Sequence, residues 1–357
     1  MSPLASWIGQ VALGYKDRAE RRPLHGLVAF HANGRKSELD RIRNISATGM
    51  YLETRARWPK NALVSLWIQK TGSTDAPSDQ RVALQATVVR REANRVGLSF
   101  VLPEGLTLNL WESPLKTTAE AAGADDVLRE FRMAAAISFL AKLCPEGRRA
   151  SCRLLRHELS NYRVSSAVDI ALRAESLLSL KPRTSRMRVD PRLMLRILEE
   201  GSWAVDEWRR RLWAGLLATC WASESKSALN LNLVNAMSQM AEVHAKILIH
   251  ACENSTKVIS EDGVVSALPL TYTTDEMITI TGTHDLHRID CDLEHLAGLG
   301  LFIKREKSRF FVALDDTSLT PSTLGLELFA RSSGHRGALA DFYCVATTDF
   351  WSTGRTN

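Results

Sequence analysis

Between Leu27 and Val101 short apolar runs alternate with turn signals. Leu27 to His31 is followed by Ala32, Asn33 and Gly34; Ser46 to Gly49 precedes Met50, Tyr51 and Leu52. Ala62 to Ile68 and Val82 to Arg90 flank a polar stretch, Lys70 to Gln80, and Val96 to Phe100 closes the series. Short strands at regular spacing predict a small antiparallel barrel or sandwich over residues 15–105. Residues 106–123 lack a sustained period and contain Pro114, so they read as a linker.

From residue 124 onward the period changes to that of a helix. Val127, Phe131, Ala134, Ala135 and Phe139 recur on one face, and Pro145 and Gly147 end that helix. Asp190 before Pro191 reads as a helix start, with proline in the first turn. Between Trp203 and Trp221, Trp208, Leu212, Leu216 and Cys220 form one apolar stripe beside Trp213 and Leu217, so these tryptophans are expected in a core. Arg209, Arg210 and Arg211 are expected on the solvated side of that helix. Residues 285–330 read as helix, hairpin, helix, the shape of a winged-helix-like unit. The expectation is a multidomain α and β protein, a small antiparallel barrel followed by a mostly helical domain over residues 124–357.

Composition adds bounds to this picture. At 357 residues the chain exceeds what one hydrophobic core usually supports. The longest uncharged apolar-looking run near the middle, Leu212 to Ser223, is too short to span a bilayer, and no membrane partner is expected. The amino terminus has no basic cluster before Trp7 to Leu13 and no clear cleavage site, and six cysteines form no CxxC pair. A reducing cytoplasm is the expected location. The net charge of +6 lies entirely in the first third: residues 1–115 hold 16 Lys and Arg against 10 Asp and Glu, and residues 116–357 hold 30 of each. A basic first domain points to a small anionic ligand, nucleic acid or an acidic partner.

Two short motifs give that charge a chemistry. Arg18 and Arg22 form RxxxR ahead of the first strand, and Asn44, Ser46 and Gly49 lie in the string NISATG. With Val28 to Phe30 as a first strand, Met50 to Glu53 after the turn and the hairpin VVRREANRVGLSF over Val88 to Phe100, residues 15–102 resemble the PilZ family of cyclic di-GMP receptors. The resemblance implies a small barrel, cyclic di-GMP as ligand, and Arg18, Arg22, Asn44, Ser46 and Gly49 as its binding residues. The residue types suit the task. Arginine offers a planar fork to phosphate or to guanine O6 and N7 and also stacks on bases. Asn44 donates to and accepts from a base edge, Ser46 adds an adaptable hydroxyl, and Gly49 allows a backbone turn that a side chain would obstruct. The bland alternatives are a solvated charged lead-in over Lys16 to Arg22 and a turn capped locally by Asn44 and Ser46. Arg21, His25 and Arg41 are possible assistants.

The remainder carries weaker signals. His284, His287, Cys291 and His295 have helical spacing, but such histidines are usually surface or satisfied core residues, so neither metal nor cofactor is expected; His244 and His250 take the same discount. The chain contains no GxxxxGK, HExxH or GxSxG motif, and no enzymatic activity is expected. WRRRLWAGLLAT, LEHLAGLGLF and LTPSTLGLELF loosely resemble the Abi-alpha family of abortive-infection proteins, which implies a defence role and transfers no binding residue. Lys304, Arg305, Lys307 and Arg309 suit a DNA-contacting wing. Asp290, Asp292 and Glu294 beside them oppose it, so a protein partner through the helical domain is expected ahead of nucleic acid. Ordering of the Arg18 to Arg22 lead-in is the expected switch, with Trp7 to Leu13 as its contact to the helical domain.

Overall fold

The computed structural model describes residues 22–23, 26–33, 36–71, 82–102, 108, 124–179, 189–220, 227–303 and 317–345. The chain divides into two compact units, residues 1–138 and 139–357.

Among the described residues the first unit has seven antiparallel strands: β1 (Arg22–Pro23), β2 (Leu27–Asn33), β3 (Lys36–Ser46), β4 (Gly49–Glu53), β5 (Leu63–Lys70), β6 (Val82–Glu92) and β7 (Arg95–Phe100). Six of them close on themselves in the order β3, β2, β5, β6, β7, β4 and back to β3; the short β1 pairs with β3 as well. Closure leaves no free sheet edge in that ring. Along β5, β6 and β7 alternate residues point inward, and those positions are apolar: Val64, Leu66 and Ile68 on β5; Val82, Leu84, Ala86 and Val88 on β6; Val96, Leu98 and Phe100 on β7. Met50 and Leu52 of β4 and Ile42 and Ile45 of β3 fill the remainder. Each such side chain contributes about 1.5–3 kcal/mol of burial.

Strand β3 is an element the hydrophobic pattern does not reveal. Its sequence, KSELDRIRNIS, carries five charged residues and alternates poorly. Its inward positions include Asp40, and a bulge between Ile42 and Asn44 resets the alternation so that Ile42 and Ile45 both point inward.

The first helix among the described residues, α1 (Ala124–Leu143), starts in the same unit. Val127, Phe131 and Ala134 are buried as the helical period predicts, and Phe131 meets Phe100 edge to face at 5.3 Å. Lys70 of β5 pairs with Asp125 in its first turn.

The second unit is mostly helical. After α2 (Arg148–Arg153) and a π-turn over Leu154–Glu158 come α3 (Asn161–Ser179), α4 (Pro191–Gly201), α5 (Glu207–Thr219), α6 (Ser227–Ser238) and α7 (Glu242–Asn254). Asp190 caps α4 as its sequence predicts, accepting from the Arg192 amide at 2.8 Å with Pro191 in the first turn. Three short strands, β8 (Lys257–Ile259), β9 (Val265–Ala267) and β10 (Leu270–Tyr272), lead into α8 (Thr274–Thr281) and α9 (Leu286–Gly298). Strand β11 (Thr317–Leu319) returns antiparallel to β10, and α10 (Thr323–Ser332) and α11 (Leu339–Val345) complete the described chain. Helices α5 and α10 cross closely enough that a Cβ on Gly215 would stand 1.8 Å from the Ser332 carbonyl oxygen.

Trp203 departs from expectation. Helix α5 begins only at Glu207, so Trp203 lies in the preceding turn and is 52% exposed, whereas Trp213, inside the helix, is buried. The Arg163 guanidinium sits 4.0 Å from the Trp203 ring centre and donates to Ser202 Oγ and the Glu199 carbonyl, which fixes the indole outward. Among the described residues no helix is long and apolar enough to cross a membrane, and all six cysteines are free.

Candidate functional site

Strand β3, which carries Asn44 and Ser46, is paired with the short strand that begins at Arg22. Its first half pairs with β2; its second half pairs on one side with β1, which sets Arg22 opposite Ile45 and Pro23 opposite Asn44. On its other side β3 pairs with β4, Asn44 opposite Tyr51 and Ser46 opposite Gly49. Arg22 and NISATG are thus neighbours through the sheet. Arg18, Arg21, His25, the Trp7 to Leu13 segment and the cationic residues Lys304, Arg305, Lys307 and Arg309 lie outside the described residues.

Asn44 is half-buried, and its Oδ1 is buried without a hydrogen-bond donor among the described residues. Ser46 is buried and its Oγ donates to the Gly49 carbonyl at 3.1 Å, closing the tight turn through residues 47 and 48. The structural demand on Gly49 is close approach rather than an unusual turn conformation. It is not among the glycines with positive φ, and a Cβ there would stand 2.1 Å from the Leu98 carbonyl oxygen of β7.

The outer face beside this turn carries a row of which the sequence motifs include only Asn44. Asn44 of β3, Tyr51 of β4, Gly97 of β7 and Arg90 of β6 are successive cross-strand partners. Tyr51 Oη donates to Glu92 Oε2 at 2.5 Å, and Arg90 pairs with the same carboxylate through Oε1 at 2.5 Å. In the next row Arg43 donates to Glu53 Oε1 at 2.7 Å, and Arg95 approaches that oxygen at 3.7 Å. The hydrogen bond from Arg43, reinforced by the Arg95 and Arg41 charges, holds the Glu53 carboxyl below its ordinary range; the hydrogen bond from Tyr51, then Arg90 and Arg95, does the same for Glu92. Tyr51 is correspondingly raised, chiefly by its bond to Glu92. With Arg41, Arg43, Arg90 and Arg95 against Glu53 and Glu92, this face has a cationic excess suited to phosphate. Arg90 and Gly97 fall in the hairpin VVRREANRVGLSF, which reads in the sequence as a closing hairpin and not as part of the site.

At the other end of β4 lies a cleft of about 850 Å³, lined by residues including Leu39, Asp40, Glu53, Thr54, Arg55 and Arg57. Beneath it, inside the barrel, His31 Nδ1 and Asp40 Oδ2 are 2.8 Å apart, both side chains almost wholly buried, and Trp58 stacks edge-on to His31 at 4.7 Å. No sequence motif marked this pair.

In the helical unit the histidines make ordinary local bonds. His244 Nδ1 accepts from the Ala241 amide at 2.9 Å, which leaves Nε2–H to donate to Asp292 at 3.0 Å, and the His295 ring lies 4.7 Å away. Burial lowers the His244 pKa, partly offset by Asp292. Cys291 and His287 approach at 3.9 Å on the exposed side of α9. Among the described residues no group of three or more His, Cys, Asp or Glu side chains is placed to hold a metal ion.

With this geometry in hand, comparison with known proteins identifies one region. The family model of the PilZ domain matches residues 16–108, a span that includes Arg18, Arg22, Asn44, Ser46 and Gly49 and that folds as the closed six-strand barrel. A PilZ domain is a binding domain for cyclic di-GMP in general, and not a catalytic one. No curated protein matches the chain.

Proposed function

We propose that this protein is a cyclic di-GMP receptor in which the barrel binds the nucleotide through Arg18, Arg22, Asn44, Ser46 and Gly49 and the helical unit delivers the output by engaging a protein partner. The observation that carries the reading is the register of β1 on β3, Arg22 opposite Ile45 and Pro23 opposite Asn44. It brings the backbone of Arg22, the member of the first motif within the described residues, beside the strand that carries Asn44. Arginine forks bind the phosphates and the acceptor edge of guanine, and Asn44 contributes an acceptor oxygen that no described donor uses. The switch is the ordering of residues 18–22 by the ligand, which shifts an equilibrium only by its difference in affinity for the two states.

Calorimetric titration of the full chain with cyclic di-GMP tests this. Loss of one charge-assisted contact costs about 1.5–3 kcal/mol, so Arg18→Ala, Arg22→Ala and Asn44→Ala each weaken binding by about ten-fold or more, and cyclic di-AMP binds far more weakly. Absence of heat with the parent protein, or equal affinity in all three variants, overturns it.

A second reading has one observation in its favour. The order α7, β10, α8, α9, β11, with β10 antiparallel to β11 and Phe302 bridged to Pro321, is compatible with a winged-helix-like unit, in which α9 would be the helix that faces DNA. Glu294 is exposed on that helix and Asp290 half-exposed, which disfavours a phosphate backbone, so protein engagement remains the preferred output. A gel shift with mixed-sequence duplex DNA that vanishes with rising salt would reverse that preference.

A further inference from the structure

We infer that the uncharged outer wall of β5 and β6, extended by Phe30 of β2 and Leu39 of β3, docks a second copy of this chain, the two walls stacking about a two-fold axis that crosses the strands at Ser65. The inference is independent of the nucleotide reading: it uses no motif residue, and in the ring β5 and β6 are separated from the motif strands β3 and β4 by β2 on one side and β7 on the other.

The wall follows from alternation. With Val64, Leu66 and Ile68 of β5 turned into the barrel, Leu63, Ser65 and Trp67 turn out, and Ala83, Gln85 and Thr87 of β6 do the same. Leu63 is 61% exposed and Trp67 38%. Register sets Leu63 opposite Thr87, Ser65 opposite Gln85 and Trp67 opposite Ala83. The Trp67 row continues through half-buried Phe30 to Leu39, which is 59% exposed. A closed ring has no edge to extend, so an apolar row of this kind offers a partner only its face.

Charge selects the partner. None of these outward residues is charged, although residues 1–115 hold 16 Lys and Arg against 10 Asp and Glu. The exposed arginines stand elsewhere, among them Arg41 and Arg43 on β3, Arg90 beyond the bulge of β6 and Arg95 on β7. Two equally basic barrels repel through those arginine-bearing faces, and a partner recognised by its charge finds no counter-charge on this wall. A second copy meets itself here without repulsion and without desolvating an ion.

The pattern along β5 is also self-complementary. Leu63 and Trp67 stand equally far from Ser65, so a two-fold axis across the strands at Ser65 and Gln85 lays β5 antiparallel on its own copy. Trp67 of one copy then lies over Leu63 of the other, Ala83 over Thr87, and the two Gln85 amides meet at the axis, where each both donates and accepts. Four strands at about 4.8 Å and six residues at about 3.4 Å outline about 400 Å² on each copy, the size of a reversible contact and not of an obligate dimer.

Sedimentation equilibrium of the full chain without nucleotide tests this over about 5–300 µM, the range a contact of that size calls for. The average mass of the parent rises toward twice that of the monomer, and Trp67→Ala weakens the association about ten-fold or more. Ser65→Glu and Ser65→Lys change an exposed strand position and leave the melting midpoint within about 3 °C of the parent's. Each abolishes association, because like charges then face each other across the axis, and an equal mixture of the two associates again. Recovery in the mixture requires position 65 of one copy to meet position 65 of the other, which neither misfolding nor association through another surface reproduces. A parent that stays monomeric over the whole range overturns the inference and leaves the wall to a different protein. Ser65 variants that associate as the parent does, or a mixture that stays monomeric while the parent associates, overturn it as well.

Discussion

Replacing Gly49 by alanine separates what the motif glycine does for the fold from what it does for a ligand. An alanine Cβ would stand 2.1 Å from the Leu98 carbonyl oxygen, where even a close carbon–oxygen contact needs about 3.3 Å. The obstacle is backbone, so no rotamer change relieves it, and β4 must move about 1 Å from β7. That movement strains the pairing of Gly49 with Ser99 and the neighbouring bond from the Phe100 amide to the Thr48 carbonyl, 2.9 Å long. Overpacking of this kind costs about 1–3 kcal/mol and a weakened ladder bond about 1 kcal/mol more. A local loss of about 3 kcal/mol accelerates exchange of the β7 amides roughly 150-fold, which native-state hydrogen exchange of the unliganded chain reads by peptide over residues 96–100. Gly298→Ala is the contrast: nothing lies within 4 Å of the added methyl at the end of α9, so protection there should hold or rise. Exchange over residues 96–100 unchanged within about three-fold in Gly49→Ala would refute the close-approach argument. If the acceleration is seen, a binding defect in this variant reports a displaced strand and not a lost ligand contact.

Three further outcomes follow from the geometry. Truncating either member of the buried His31–Asp40 pair, as in His31→Leu, costs about 3 kcal/mol in a urea melt, whereas His31→Leu with Asp40→Leu recovers most of it; a double variant as unstable as the sum of the singles would contradict the pairing. Gly215→Ala forces α5 from the Ser332 carbonyl and lowers the melting midpoint of the helical unit by at least about 4 °C, and an unshifted melt would mean the crossing is looser than described. His244 has its pKa lowered by burial, so the unfolded chain binds the proton first: its contribution to stability is full above the unfolded value, near 6.5, and is lost as pH falls through the lower folded value. Asp292 favours the charged ring while His295 opposes it, and protonation removes the acceptor for the Ala241 amide. Protection of the α7 amides, taken relative to the intrinsic exchange rate at each pH, should therefore fall between pH 7 and 5 in the parent and more weakly in His244→Gln; parallel pH profiles would reject the assignment.

Local order was legible in the chain wherever a short-range rule sufficed. Alternation marked β2, β5, β6 and β7, the string NISATG marked the β3–β4 turn, and Asp190 before Pro191 marked the start of α4, because turn and cap chemistry act over three or four residues. The motif pair Arg22 and Asn44 was equally visible, although only the sheet register makes its members neighbours. What alternation missed was β3: its Arg41 and Arg43 are exposed, its Asp40 is accommodated inside by His31, and its bulge breaks the period that would have announced it. Trp203 was misplaced for a related reason, since a stripe of aromatics does not say where a helix begins, and its first turn starts four residues later.

Composition and pattern alone thus determined a basic antiparallel β domain, barrel or sandwich, followed by a helical region, and the residue types that suit an anionic ligand. Tertiary structure alone decided why Gly49 must be glycine, which side chains stand over Gly97, and that Tyr51 and Arg90 share one carboxylate. The physical reason is range. Propensity and capping are settled among neighbours in sequence, whereas an approach of 2.1 Å between an added Cβ and a carbonyl half a barrel away along the chain exists only once strand pairing has fixed the register.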